Sequence, residues 1–191
     1  MTIIRCPWCG TDPLYVAYHD EEWGRPVHDD RVLFEFLTLE WAQAGLSWIT
    51  VLRKRENYRQ AFQSWDIPKI AQMTDGELEI LLLDPGLVRN RLKIYSVRKN
   101  AKMALEIQKE FGSLGVYFWR WIDNKQLINH GKIITDFSTE SYMSREISKD
   151  LKNRWMSFVG ATILYAFMQA VGMVDDHIDT CFRKIGISTS I

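Results

Sequence analysis

The stretch VLFEFLTLEWAQAGLSWITVLRKRENYRQAF, residues 32–62, decides the fold class. Its apolar positions recur with a helical period, so residues 32–44 predict a largely buried helix. The pattern breaks at residues 45–46, and Ser47 is a favourable N-cap for a second helix that runs to Phe62. Two successive helices without strand-like alternation indicate an all-α protein.

The rest of the chain continues this helical pattern. Asp66 starts a short helix with Pro68 in its first turn, and Thr74 has capping-box spacing to Glu77 ahead of another helix. With 191 residues, 47% apolar content and no repeat or linker, residues 1–191 are predicted to form one domain. After a turn at 84–86 we predict a basic amphipathic helix to Phe111, an aromatic segment at 117–121, an irregular stretch at 129–138, and final helices at 142–154 and 158–173.

Cysteine content and hydropathy indicate the setting in which the protein works. Three cysteines are an odd number for a disulfide framework, and the first residues lack the apolar core of a signal peptide. Residues 158–174 are uncharged, but they are too few and too polar for a membrane span. We therefore expect a cytoplasmic protein that makes no membrane contact.

Charge is unevenly distributed although the formal net charge is zero. Residues 85–105 contain six bases and no acid, whereas residues 20–40 contain seven acids against two bases. A basic run of this kind is either a solvated helix face or a surface that follows a phosphate backbone. The sequence leaves both interpretations open.

Glu40 is the most informative single residue. On a helical wheel Glu35, Thr38 and Ala42 mark a polar side, while Glu40 falls among apolar residues on the opposite side. Burying an unpaired carboxylate costs several kcal/mol, roughly, so Glu40 is either part of a structural ion pair or reserved for a ligand. Trp48, eight residues further on, is expected to face the same space.

A second constellation consists of cysteines and histidines from the two ends of the chain. His177 and Cys181 are four residues apart and would share one face of a helix, and Cys6 and His19 would complete a tetrahedral Cys₂His₂ site. Cys9 offers a competing pair with Cys6. Spacing alone leaves both a zinc site and an ordinary polar role of the histidines open. The motifs of Ser hydrolases, phosphate-binding loops and zinc proteases are absent from the sequence.

Several long motifs make the sequence recognisable. The chain closely resembles the 3-methyladenine DNA glycosylase I family of the helix-hairpin-helix DNA glycosylase superfamily, and the resemblance covers nearly the whole chain. It is carried by DPLYVAYHDEEWG (12–24), LE (39–40), QAGLSWITVL (43–52), KRENY (54–58), FVG (158–160), FMQA (167–170) and DH (176–177).

The resemblance implies a helix-hairpin-helix glycosylase fold in which a structural zinc joins the N- and C-terminal segments. By position, Cys9 is left out and the ligands are Cys6, His19, His177 and Cys181. A flipped base would be hydrogen-bonded by Glu40 and enclosed by four aromatic side chains: Trp8, Tyr15, Tyr18 and Trp48. The implied reaction is monofunctional excision of N3-methyladenine from double-stranded alkylated DNA, and we expect a monomer.

Two departures from the family pattern and two alternative functions remain. Trp41 replaces a small or polar residue and is expected to narrow the pocket, and Trp155 lies in a hairpin that usually contains glycine. The sequence also allows a non-catalytic helical module that recognises alkylated or bent DNA through residues 85–105, or a glycosylase of broader alkylated-base range. The superfamily's catalytic Asp corresponds in spacing to Asp175, which we expect to be dispensable here.

Overall fold

The computed structural model describes residues 3–43 and 45–184, and this part of the chain is mainly helical, as predicted. Ala44, the last residue of the predicted first helix, lies outside the described residues. The helices are α1 (Pro13–Glu21), α2 (Asp30–Ala42), α3 (Trp48–Ala61), α4 (Ile67–Gln72), α5 (Asp75–Leu81), α6 (Arg91–Phe111), α7 (Leu114–Trp119), α8 (Tyr142–Asn153) and α9 (Ala161–Ala170). Two short strands, β1 (Leu127–Ile128) and β2 (Val174–Asp175), pair in parallel.

Side-chain caps explain where several helices begin. Asp29 accepts hydrogen bonds from the first backbone N–H groups of α2, and Asp66 does the same for α4. Thr74 and Glu77 form the predicted capping box at α5. Ser47 precedes α3 as predicted, but its hydroxyl lies 2.7 Å from Thr50 Oγ1 and makes no capping bond.

Helix α2 is the centre of the molecule and is buried on every side. The wheel was wrong about its polar side, because Glu35, Thr38 and Ala42 are each at most 3% exposed. Arg55 and Arg59 of α3 reach Glu35 Oε1 at 2.8 and 3.3 Å. These guanidinium groups replace water for Glu35, which is the condition for a buried carboxylate.

The last apolar run forms a shorter helix than predicted. Helix α9 ends at Ala170, and the chain then turns at Gly172 into β2. Gly172 has φ +70°, and a Cβ there would lie 2.2 Å from the backbone of Arg25, so a larger residue would not fit. The β1–β2 pairing that follows was not predicted, and it brings residues 127–129 beside the buried segment after α9.

A tight connection, residues 154–160, joins α8 to α9 and lies at the protein surface. Trp155 is 75% exposed and adopts φ +66°, a conformation that a Trp tolerates poorly. The buried Asn100 of α6 holds the connection from behind, since its side-chain amide exchanges two hydrogen bonds of 2.8 and 2.9 Å with the backbone of Ser157. Among the described helices, none has the length and apolar character that crossing a bilayer requires.

Candidate functional site

An open cavity of about 230 Å³ lies where α1, α2, α3 and α9 meet. It contains all five side chains that the sequence analysis assigned to a base pocket, together with several that it missed. Trp41 is not one of them, because it is buried elsewhere in the core, so the expected narrowing of the pocket by Trp41 was wrong. The lining residues are Trp8, Tyr15, Tyr18, Trp23, Glu40, Gln43, Trp48, Ile134, Ala166 and Gln169.

The aromatic walls of the cavity form a connected set. The ring centroid of Trp8 lies 5.1 Å from that of Tyr15 and 4.9 Å from that of Trp23. On the other side Tyr18 and Trp48 are 5.5 Å apart. Rings at these distances hold each other in place and leave their free faces for a planar ligand. Trp48 Nε1 is buried without a hydrogen-bond partner in the described structure.

Glu40 supplies the buried carboxyl group of the cavity lining. Its side chain is 6% exposed, and no described residue forms a hydrogen bond or ion pair with it. Burial alone raises the pKa of Glu40 to about 8, because the charged carboxylate loses its hydration. Glu35, on the same helix, differs in having two arginine partners. A cation bound in the cavity would therefore stabilise the charged form of Glu40.

A second, smaller cavity of about 210 Å³ adjoins the first one. Glu40, Gln43 and Ala166 line both spaces, and the smaller one extends to Leu46 and Thr162. Glu40 therefore belongs to the boundary that the two spaces share.

Cys6, His19, His177 and Cys181 converge although they come from opposite ends of the chain. Their side-chain donor atoms all lie within 4.8 Å of one another, and each residue is buried. The Sγ of Cys181 is 3.5 Å from both His19 Nε2 and His177 Nδ1, and Cys6 Sγ is 3.5 Å from His177 Nδ1. Zn–S and Zn–N bonds of about 2.3 and 2.0 Å in a tetrahedron put sulfur and nitrogen roughly 3.5 Å apart.

The remaining ring nitrogens of the two histidines are bound from outside the cluster. Asp20 Oδ1 lies 2.7 Å from His19 Nδ1, and the backbone carbonyl of Trp23 lies 3.3 Å from His177 Nε2. Arg5 in turn holds Asp20. Outer partners of this kind fix the tautomer of metal-binding histidines. The residues present therefore fit a tetrahedral metal ion.

The path of the chain at this cluster differs from the predicted one. His177 and Cys181 lie in a loop after β2 and not on a helix, so their spacing brings them together through a turn. Cys9 is buried but outside the cluster, with its thiol donating to the backbone carbonyl of Cys6 at 3.1 Å. Hydrogen bonds lower the pKa of Cys181. The bond with Cys6 has the largest effect, and those with His177 and His19 have smaller effects.

The basic segment divides into an exposed and a buried part. Lys93 is buried on α6, and its Nζ donates to the backbone carbonyl of Ala42 at 3.0 Å, so it is not available to a phosphate. Lys99 and Lys102 are exposed and line a groove of about 620 Å³ that runs to Ser157 and Phe158. Lys99 and Lys102 thus face the α8–α9 connection.

Asp175 lies away from the cavity. Its carboxylate is fully buried, accepts a hydrogen bond from the backbone N–H of His177 at 3.0 Å, and lies 3.7 Å from Lys184 Nζ. These contacts tie β2 to the segment that carries the Cys/His cluster. The geometry gives Asp175 a role in holding this loop.

Comparisons with known proteins agree over nearly the full length of the chain. The family model for methyladenine glycosylase matches residues 8–184. The chain is 44% identical over 177 residues to the DNA-3-methyladenine glycosylase of Haemophilus influenzae, covering 93% of this chain and 96% of the relative. A crystal structure of a 3-methyladenine DNA glycosylase I matches with TM-score 0.92 and 45% identity over 95% of this chain and 100% of that one. A structure describing 3-methyladenine recognition by the Staphylococcus aureus enzyme matches with TM-score 0.90 and 34% identity, over 93% and 94% of the two chains.

Proposed function

Because the chain belongs to the methyladenine glycosylase family, we propose that the aromatic cavity around Glu40 receives N3-methyladenine flipped out of alkylated DNA. The chain is a DNA-3-methyladenine glycosylase, which hydrolyses the bond between the damaged base and its deoxyribose. The observation that carries the site assignment is the unpaired, buried carboxyl of Glu40 among four rings that are tilted against one another.

The cavity suits a base that is already activated for departure. N3-methyladenine attached to deoxyribose is cationic and leaves as a neutral base, so little acid catalysis is needed. Aromatic faces attract the cation by roughly 0.5–2 kcal/mol per contact. This attraction offsets the cost of extruding the nucleotide, which is about a few kcal/mol. Glu40 holds a proton in the free protein because its pKa is about 8, and a bound cation favours release of that proton.

Hydrolysis by water, without a covalent step on the protein, is the mechanism that the lining residues favour. No lysine is present among the described residues that line the cavity, so no amine is placed there to form a Schiff base with the sugar. Chromatography of bases released from methylated duplex DNA tests the proposal. We expect 3-methyladenine to be the main product, and the absence of any released base would contradict the proposal.

We further propose that the Cys/His cluster binds one structural Zn²⁺. The support is the donor set and the sulfur–nitrogen distances of 3.5 Å, which equal the edge of a zinc tetrahedron. Cys6 and His19 would be joined through the ion to His177 and Cys181. The bound ion supplies cross-linking energy between the two ends of the chain and no reacting group, since the cluster is not part of the cavity lining.

Helices α8 and α9 with residues 154–160 are proposed to be the helix-hairpin-helix element that contacts DNA. Lys99 and Lys102 of α6 line a groove beside this connection, and Lys99 Nζ donates to Ser157 Oγ at 2.9 Å. Double-stranded DNA is the proposed substrate, and a surface of this kind would contact its phosphate backbone without reading bases. Cytoplasmic location and a monomeric state are also proposed, and the three free, buried cysteines fit a reducing compartment.

Replacing Lys99 or Lys102 by Ala is expected to weaken binding to any duplex and to flatten the salt dependence of the binding constant by about one unit per lost phosphate contact. Fluorescence anisotropy over a range of salt concentrations measures both effects. Lys109→Ala is the matched control, because Lys109 lies on the same helix but forms an ion pair with Glu106 away from the groove. An altered base preference with an unchanged salt slope would contradict the assignment.

Asp175→Asn is expected to retain most of the excision rate, because Asp175 does not line the cavity and contacts the loop of the Cys/His cluster. Its loss should lower thermal stability, since Lys184 Nζ is then left with less compensation for its burial. Single-turnover rates are measured at a temperature at which the variant is folded. A folded Asp175→Asn protein without activity would show that Asp175 acts in the reaction.

A further inference from the structure

Gln169 has a side-chain amide whose orientation is fixed by a buried acid. Asp176 is 1% exposed and accepts hydrogen bonds from three side chains: Gln169 Nε2 at 2.7 Å, Asn129 Nδ2 at 2.8 Å and the Tyr165 hydroxyl at 2.9 Å. A carboxylate only accepts hydrogen bonds, so Gln169 must turn its NH₂ group toward Asp176. Burial and the charge of Asp176 raise the pKa of Tyr165, which keeps its hydroxyl a donor in this network.

Asp176 engages only one end of the locked amide. Gln169 lines the aromatic cavity, whereas Asp176 does not. Because the NH₂ group is directed at Asp176, the carbonyl oxygen Oε1 is the end that remains for a ligand. Gln43, the other glutamine in the lining, has no partner among the described residues that would fix its amide, so it can present either end. Gln169 is therefore a residue of the cavity lining whose amide has a fixed orientation and a free acceptor, Oε1.

From this arrangement we infer that Gln169, held by Asp176, selects bases that carry an exocyclic amino group. The inference rests on the proposed function of the cavity. An amino group at the six-position of a purine offers two N–H donors, whereas a carbonyl at the same position offers only an acceptor and would face the Oε1 lone pairs. A site built to hydrogen-bond an N–H group rejects analogues that lack it, because its own polar group is then left unpaired. Asp176 acts as a positioning residue.

Binding of two free bases tests the inference. The probes are 3-methyladenine and 3-methylpurine, which has the same methyl group and ring but no amino group, and binding is followed by quenching of tryptophan fluorescence. The wild-type protein is expected to prefer 3-methyladenine. Gln169→Met should lower the affinity for 3-methyladenine about tenfold and change the affinity for 3-methylpurine less than twofold. Asp176→Asn should also lower the ratio of the two affinities, because its amide no longer dictates which end of Gln169 faces the base.

Gln43→Met is the matched control, since it removes a glutamine of free orientation from the same lining and should leave the ratio of affinities unchanged. Equal losses for both bases in Gln169→Met would overturn the inference, because a merely structural or packing role affects both ligands alike. If the wild-type protein binds neither base, the assignment of the cavity fails and the inference fails with it. Binding of both bases with a ratio that Gln169→Met does not alter would refute the inference alone and leave the cavity assignment intact.

Discussion

Glu40→Gln is expected to lower the single-turnover rate of N3-methyladenine excision by about 10- to 150-fold, which corresponds to roughly 1.5–3 kcal/mol for a charge-assisted hydrogen bond. Gln has nearly the shape of Glu but cannot carry the charge that distinguishes the cationic nucleotide from neutral adenine. Excision from DNA containing N3-methyladenine measures the effect. Wild-type kcat/KM should rise with pH as Glu40, with its pKa of about 8, ionises in the free protein.

The same substitution is expected to stabilise the fold. The folded pKa of about 8 lies above the ordinary value of 4.5 for a glutamate, so the stability contributed by protonated Glu40 is fully present below pH 4.5 and is lost as pH rises through 8. Gln does not titrate and escapes this loss. The free energy of unfolding of Glu40→Gln should therefore exceed that of the wild type by an amount that grows with pH, to a few kcal/mol approximately near pH 8.

Glu35→Gln is the matched control, because Glu35 is a buried carboxylate on the same helix that does not line the cavity. It should show the opposite pattern: lower stability, since the charges of Arg55 and Arg59 lose a partner, and an excision rate within about twofold of the wild type. Denaturant unfolding and excision are measured on the same preparations. A Glu40→Gln protein that is both slower and less stable would indicate a structural role for Glu40.

Removal of the metal is expected to have the largest effect on stability. The protein as purified should contain one equivalent of zinc, and Cys6→Ser should lose it and lower the free energy of unfolding by several kcal/mol, because structural zinc sites bind with apparent energies of about 10–16 kcal/mol. A strong chelator should have the same consequence in the wild type. Metal analysis and thermal unfolding measure the two effects.

Cys9→Ser is the control for the metal site, since Cys9 is equally buried but donates its thiol to a backbone carbonyl outside the cluster. It should retain the full equivalent of zinc. Retention of zinc by Cys6→Ser together with its loss from Cys9→Ser would show that the ligand set is wrong.

Helical periodicity correctly predicted the burial of Glu40, but it was wrong about the opposite face of the same helix. The period of α2 placed Glu40 among apolar residues because Leu33 and Phe36 repeat at helical spacing, and Glu40 is indeed buried. It also assigned Glu35 to a polar exterior, which is wrong. The wheel separates polar from apolar side chains, but it contains no information about Arg55, which covers Glu35 from the next helix.

The basic run of α6 shows the same limitation. Lys93, Val97 and Ala101 lie four residues apart on one stripe of the helix, and that stripe is buried. A charge count along the sequence includes Lys93 with its exposed neighbours, although its ammonium group caps the carbonyl end of α2. Composition therefore indicated residues 85–105 as a candidate phosphate-contacting segment. Only the packing of α6 against α2 separated the exposed bases of this segment from the buried Lys93.

Contacts between distant segments were predictable only where residue chemistry marked them. Cysteine and histidine have few other reasons to cluster, so their chemistry indicated a metal site, but Cys9 was left out only through the family resemblance. The turn that joins His177 to Cys181 could not be predicted. The orientation of Gln169 could not be predicted, because it depends on Asp176 and on Asn129 near β1. An Asp at 176 and an Asn at 129 could equally make ordinary polar contacts, so the sequence gives no sign that they fix the orientation of the Gln169 amide.

The most direct test that the cavity around Glu40 binds the base is a titration with free 3-methyladenine. The indole N–H signals of the eight tryptophans are followed by ¹⁵N–¹H NMR. Trp8, Trp23 and Trp48 line the cavity, whereas Trp65 and Trp155 do not. We expect saturable shifts of the signals of the three cavity tryptophans, whereas the signals of Trp65 and Trp155 should remain unchanged. Shifts confined to Trp155, or no shift of the Trp8 and Trp48 signals at saturating base, would contradict it.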